Sequence, residues 1–202
     1  MEQPAATILL DAHRFWFQEL IAGTDVPAEQ VRVWFSRHDG TDEACRVRFG
    51  DHLDAVAETD WPFEMLPPAA GIGLVIFLDQ FPRNLFREDG RAFAYDARAR
   101  AAARGLIEGG VERFTPMERV FLYLPFEHGE ELADQDYSVA LYEALLAEVP
   151  EAEKATYASF LDFAEKHRAV IRRFGRFPHR NADLGRASTP EELEFLKDGR
   201  GY

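Results

Sequence analysis

Apolar residues recur at spacings of three and four along nearly the whole chain, and no long stretch alternates apolar with polar. That period marks one face of an α-helix rather than of a strand. It is clearest in Tyr157, Phe160, Ala164, His167, Ile171 and Phe174, which line one side of a helix expected from about Glu151 to Phe174. The segment from Pro68 to Gln80 is stricter still. Ile72, Leu74, Val75, Ile76, Phe77 and Leu78 leave it no polar face. A helix apolar all round must be buried on most sides, so the other helices have to surround it. The expected fold is therefore all-α, with eight to ten helices in an antiparallel helical bundle or a stack of helix pairs. Residues 1–202 read as a single all-helical domain.

Start and stop signals divide the pattern. Thr115-Pro116-Met117-Glu118 and Thr189-Pro190-Glu191-Glu192 each put Thr at the N-cap, Pro at the first helical position and Glu at the third, which is a capping box. Gly109-Gly110 is expected to end a helix that starts near Phe93, and Gly175 to end the long one. The first helix is expected to end at Gly23, the second to run from Pro27 to about Arg37, and the third to start after Thr41. A helix from about Glu130 to Glu148 follows Pro125. Pro82 is expected to close the buried helix, and Pro125 to stop or kink the one before it.

Composition removes several functions. The net charge of −13 opposes binding to nucleic acid. One cysteine, Cys45, excludes an intramolecular disulfide and any paired-cysteine metal site. No window has the roughly 18 uncharged apolar residues that a membrane span needs. The first residues lack a basic segment followed by an apolar one, so a cytoplasmic protein is expected. Of 23 basic residues all but Lys154, Lys166 and Lys197 are arginine, the side chain that binds carboxylate and phosphate in a planar, two-armed fashion.

Three segments mix aromatics, prolines and charges where the amphipathic pattern breaks. The first contains Asp79, Gln80, Arg83 and Asn84, at the end of the buried helix. A carboxylate there needs a charged partner, and Arg83 is nearest in sequence. The second is Pro125-Phe126-Glu127-His128-Gly129-Glu130, where carboxylates flank a histidine, a grouping suited to acid–base work. With one histidine and no HExxH spacing, no metal site and no cofactor are expected. The third runs from His167 to Asn181 and gathers Arg172, Arg173, Arg176, Arg180 and His179 around Phe174 and Phe177. Such a cluster suits either a small anion held by arginine forks or the dipole at a helix end. His167 itself reads as a core histidine on an apolar stripe.

These strings resemble one family, the bacterial domain of unknown function 924. The likeness is carried by Phe15-Trp16-Phe17, by Leu78-Asp79-Gln80-Phe81-Pro82-Arg83-Asn84, by Tyr123-Leu124-Pro125-Phe126-Glu127-His128 and by Phe174-Gly175-Arg176-Phe177-Pro178-His179-Arg180-Asn181. It departs at Gly129, where the family pattern usually has Ser. The resemblance implies an all-helical fold of the tetratricopeptide-like superfamily and no established reaction. The residues then allow a small anionic ligand in an Arg/His/Glu-lined cleft. Asp79, Gln80, Arg83, Asn84, Arg173, Arg176, Arg180 and Asn181 are its expected binding residues, and Glu127, His128 and His179 its expected acid–base groups. The alternatives are a helical scaffold for protein partners and a purely structural polar network.

Overall fold

The computed structural model describes residues 3–19, 27–36 and 39–197. Among them the chain forms nine helices and no strand, as its apolar period requires. Helix α1 covers residues 3–19, as Gln3–Arg14 followed by a π-helical turn, Phe15–Glu19. Helix α2 is Pro27–Phe35. Helix α3 covers residues 39–58, with a 3-10 turn at Gly50–His52. Helix α4 covers residues 68–85: Pro68–Val75, a π-helical turn Ile76–Gln80, then Phe81–Leu85. Then come α5 (Asp96–Glu108), α6 (Pro116–Glu127), α7 (Leu132–Glu148), α8 (Lys154–Phe174) and α9 (Pro190–Lys197). None is long and apolar enough to cross a membrane. The ends expected at Gly23 and Arg37 lie outside the described residues.

Both capping boxes form. Thr115 N donates to Glu118 Oε2 at 2.8 Å, and Glu118 N to Thr115 Oγ1 at 3.3 Å. Thr189 N donates to Glu192 Oε2 at 2.7 Å, and Glu192 N to Thr189 Oγ1 at 3.2 Å. Gly175 ends α8 in the left-handed region, φ 69°, and its N–H returns to Ile171 O. One proline expectation needs correction, and Pro125, expected to stop or kink its helix, does not stop it. Helix α4 continues past Pro82 to Leu85. The π turn ahead of it closes with Phe81 N–H on Ile76 O, so the ladder is already offset where proline lacks a donor. Helix α6 likewise runs through Pro125 to Glu127.

The chain divides into two compact units, Met1–Arg87 with Ala92–Pro125, and Glu88–Arg91 with Phe126–Tyr202. In the first, α4 is buried from Ala70 to Pro82 and packs on α1, α3 and α5. Phe49 and Phe81 stack at 4.6 Å between ring centres, with Phe77 edge-on to both. In the second, α7 and α8 form an antiparallel pair, because Arg172 near the end of α8 meets Asp136 near the start of α7 at 3.0 Å. Val170, Ile171 and Phe177 form a core there, with Phe174 and Phe195 packed on it.

Candidate functional site

The expected site residues fall in both units, and each group is a different kind of arrangement. In the first unit Asp79 is fully buried in the π turn of α4. Gln80 Nε2 donates to Asp79 Oδ2 at 2.6 Å. Arg83 reaches Asp79 O at 2.7 Å and Asp79 Oδ1 at 3.3 Å, so the pairing read from sequence exists. Its two-armed bond, however, goes to Asp96 at the start of α5, at 2.9 and 3.0 Å. Burial works against the Arg83 charge, and Asp79 and Asp96 outweigh it, holding its pKa above the ordinary value. Asn84 donates to Gln80 O and accepts from Arg87, which also forks onto Asp42. The forks of Arg83 and Arg87 are thus spent on Asp96 and Asp42, which is the geometry of a structural clamp. Arg83→Lys should replace the fork with a single point contact and lower stability by about 1–2 kcal/mol. A urea unfolding midpoint equal to that of the parent protein would contradict this role.

The second unit assembles the other two segments. Helix α6 ends at Glu127, and the chain turns through His128 and Gly129 into α7. After Gly175 it turns again through Arg176 and Phe177 into a single 3-10 turn, Pro178–Arg180. These two turns meet. Arg180 Nη1 donates to His128 O at 3.0 Å, and Phe177 N donates to Glu130 Oε1 at 2.8 Å. Arg186 forks onto Glu130 at 2.6 and 2.9 Å and also reaches Phe177 O. Burial pushes the Glu130 carboxyl up, but Arg186 and the Phe177 N–H together hold it below its usual range.

Phe177, fully buried, is the hub. The guanidinium of Arg180 lies 4.4 Å over its ring, and the rings of His167 and His179 lie 5.5 and 5.6 Å from it. His128 and His167 are 6.4 Å apart, ring to ring. Glu127, His167 and Arg180 are buried, whereas His128 and His179 are half-buried. His167 Nδ1 sits 2.8 Å from Phe163 O and 3.0 Å from Glu127 Oε1. Both neighbours are acceptors, so Nδ1 carries the hydrogen and Nε2 is the basic nitrogen. Burial drives the His167 pKa down to about 3, helped by His128, Arg180 and His179 and opposed by the Phe163 carbonyl.

The remaining arginines of the third segment take other partners. Arg176 forks onto Glu192 at 2.7 and 2.8 Å and reaches Ala187 O. That bond is the main reason the Glu192 carboxyl falls to about 2. Arg173 is exposed, pairs with Glu191 at 2.8 Å and lies 4.8 Å over Phe174. Asn181 is buried and bonds Ser188, Glu192 and Arg186. Glu191 and Glu192 at the start of α9 thus compensate Arg173 and Arg176. Glu192 had a visible role as a capping residue, which concealed its second one. His167 is the core histidine that its apolar stripe implies, and it also touches His128 and Phe177. Gln135 carries no such signal, because nothing in its neighbours distinguishes it from a surface residue.

The arrangement can stabilise negative charge beside Arg180 and can move a proton at His128 or His179. No group of three or more metal-ligating side chains occurs among the described residues. A solved structure of a protein of unknown function from Agrobacterium tumefaciens is 33% identical to this chain. The match covers 96% of this chain and 99% of that one, with a TM-score of 0.78. No curated protein matches the chain. The model of a family described as bacterial protein of unknown function, DUF924, matches residues 12–200, and so the chain belongs to that family.

Proposed function

We propose that the cluster around Phe177 binds a small anionic molecule, a carboxylate or a phosphate, with Arg180 supplying the permanent positive charge and His128 or His179 carrying a proton. One observation carries this reading. Two histidines, His167 and His179, and a buried arginine converge on one phenylalanine, a third histidine, His128, lies against His167, and of the three only His128 and His179 are half-buried. Glu127 and His167 form the inner, fixed side of the cluster, and the other two histidines form its outer side.

The test is a titration with inorganic phosphate and with acetate, followed by histidine side-chain NMR and by thermal unfolding. Saturable shifts at His128 and His179 are expected. At a hundred times its Kd a ligand adds about 2.7 kcal/mol to stability, which for a chain of this size raises Tm by about 5–10 °C. Arg180→Lys, which keeps the charge and loses the planar fork, should weaken binding by about tenfold. If neither anion moves either histidine, the cluster is structural. The scaffold reading is favoured by one feature, the antiparallel pair α7 and α8, which is the unit from which helical repeat scaffolds are built.

A further inference from the structure

Gln135, one turn into α7, is fully buried. Its Nε2 donates to Glu127 O at 2.5 Å and to Gly129 O at 2.7 Å, the carbonyls on either side of His128. Arg180 Nη1 takes the carbonyl between them, His128 O, at 3.0 Å. Three consecutive backbone carbonyls at the end of α6 are therefore held by two side chains from elsewhere in the unit. The last carbonyls of a helix have no partners within the helix and must find them outside it. Water or a lysine could satisfy them without fixing the turn. An amide whose two hydrogens grip the residues before and after His128 fixes the backbone of His128 itself, and with it the direction of its Cα–Cβ bond.

The choice of glutamine has a cost. With Nε2 turned to the carbonyls, Gln135 Oε1 is buried without a hydrogen-bond partner, and so is Ser138 Oγ one turn further along the same helix. A buried acceptor left unmade is destabilising, so capping alone does not account for this residue. We infer that Gln135 is a positioning residue for His128: it holds the turn between α6 and α7 so that the imidazole is presented rigidly at the half-buried side of the cluster. This rests on the anion-site reading for its consequence, and on the three carbonyl bonds for its geometry.

Two measurements test it separately. In the parent protein, nitrogen-15 relaxation of the His128 ring should show an order close to that of buried His167. A freely mobile His128 ring with Gln135 in place would overturn the inference, whether or not any anion binds. In Gln135→Leu, which fills the space without donors, the His128 ring should become mobile, while the His13 and His52 rings in the other unit keep their order. Phosphate affinity should then fall on the order of tenfold, since small misplacements of a positioned group are costly. If Gln135→Leu only lowers Tm and leaves His128 order and phosphate affinity as they were, Gln135 is a structural cap and no more. Gln135→Glu gives the same answer if the leucine variant does not fold. Its carboxylate lacks a donor at neutral pH and regains one when protonated, so His128 order should recover as pH falls. Absence of phosphate binding by the parent protein would defeat the anion-site reading but leave the relaxation result standing.

Discussion

Gly73→Ala is expected to destabilise the protein by about 3 kcal/mol or more, at or beyond the top of the usual range for overpacking. Gly73 lies in α4, where that helix crosses α1. A Cβ built there would stand 1.9 Å from the backbone oxygen of Leu9 and 2.7 Å from its carbonyl carbon. Atoms at the end of a flexible side chain could step aside, but a helix backbone cannot move alone. Relief requires α1 and α4 to separate, and that separation would open the packing around Leu9, Ala12 and Trp16, all buried. Loss of close contact along two helices at once is why a single methyl group has so large an effect in a packed interior. Against a typical total stability of about 5–15 kcal/mol, the variant should show a clearly lower urea midpoint and reduced soluble yield. Gly175→Ala is the contrast. Its φ of 69° disfavours a side chain, but nothing lies within 4 Å, so the cost there should stay near about 1 kcal/mol. Equal midpoints for the parent and Gly73→Ala would show that the two helices do not approach as described.

Acid should weaken the fold from pH 6.5 downward, through His167. Burial depresses the folded-state pKa from 6.5 to about 3. In that interval the unfolded chain binds a proton at this residue and the folded chain does not. The stabilisation is therefore complete above 6.5, and it is lost progressively as pH falls toward 3. A difference of this size amounts to on the order of 5 kcal/mol. Helix α8 enforces it. His167 lies on the buried stripe with Tyr157, Phe160, Ala164 and Ile171, where a charged imidazole would have to remain dehydrated. The hydrogen bond to Phe163 O eases that penalty without removing it, and His128, Arg180 and His179 add to it. His167→Gln should be less stable than the parent protein at neutral pH and should show a much shallower loss between pH 6.5 and 4. An identical slope in the two proteins, or a His167 ring that titrates near 6.5 by NMR, would refute the assignment.

Much of the helical frame can be read from the residues in order. Capping boxes, a left-handed glycine and an apolar stripe are local signals, because each depends on residues within one or two turns of one another. So Thr115, Thr189 and Gly175 stand where their neighbours imply, and the segment that is apolar all round becomes the buried core of α4. The two prolines show the limit of local reading. Pro82 and Pro125 carry the usual helix-breaking chemistry, yet the helix persists through both. At Pro82 the preceding π turn has already shifted the hydrogen-bond ladder, and no rule of spacing reveals a π turn in advance.

The site divides along the same line. Residue types alone single out the three unusual segments, since charges among prolines and aromatics fit neither an apolar face nor a solvated one. Their pairing is a different matter. Arg83 prefers Asp96, 13 residues away, to Asp79 within its own turn. Arg176 takes Glu192 across 16 residues, and Arg186 takes Glu130 across 56. Sequence by itself determined the all-helical class, most helix ends and the residues too polar to be core. Only the tertiary structure decided which carboxylate answers which arginine, that His167 touches both His128 and Phe177 with His179 on the same phenylalanine, and that Gln135 grips the turn beside them. The physical reason is range. Helix propensity and capping act within a turn or two of the chain, whereas a buried charge is satisfied by whichever partner the packing of distant helices brings within about 3 Å.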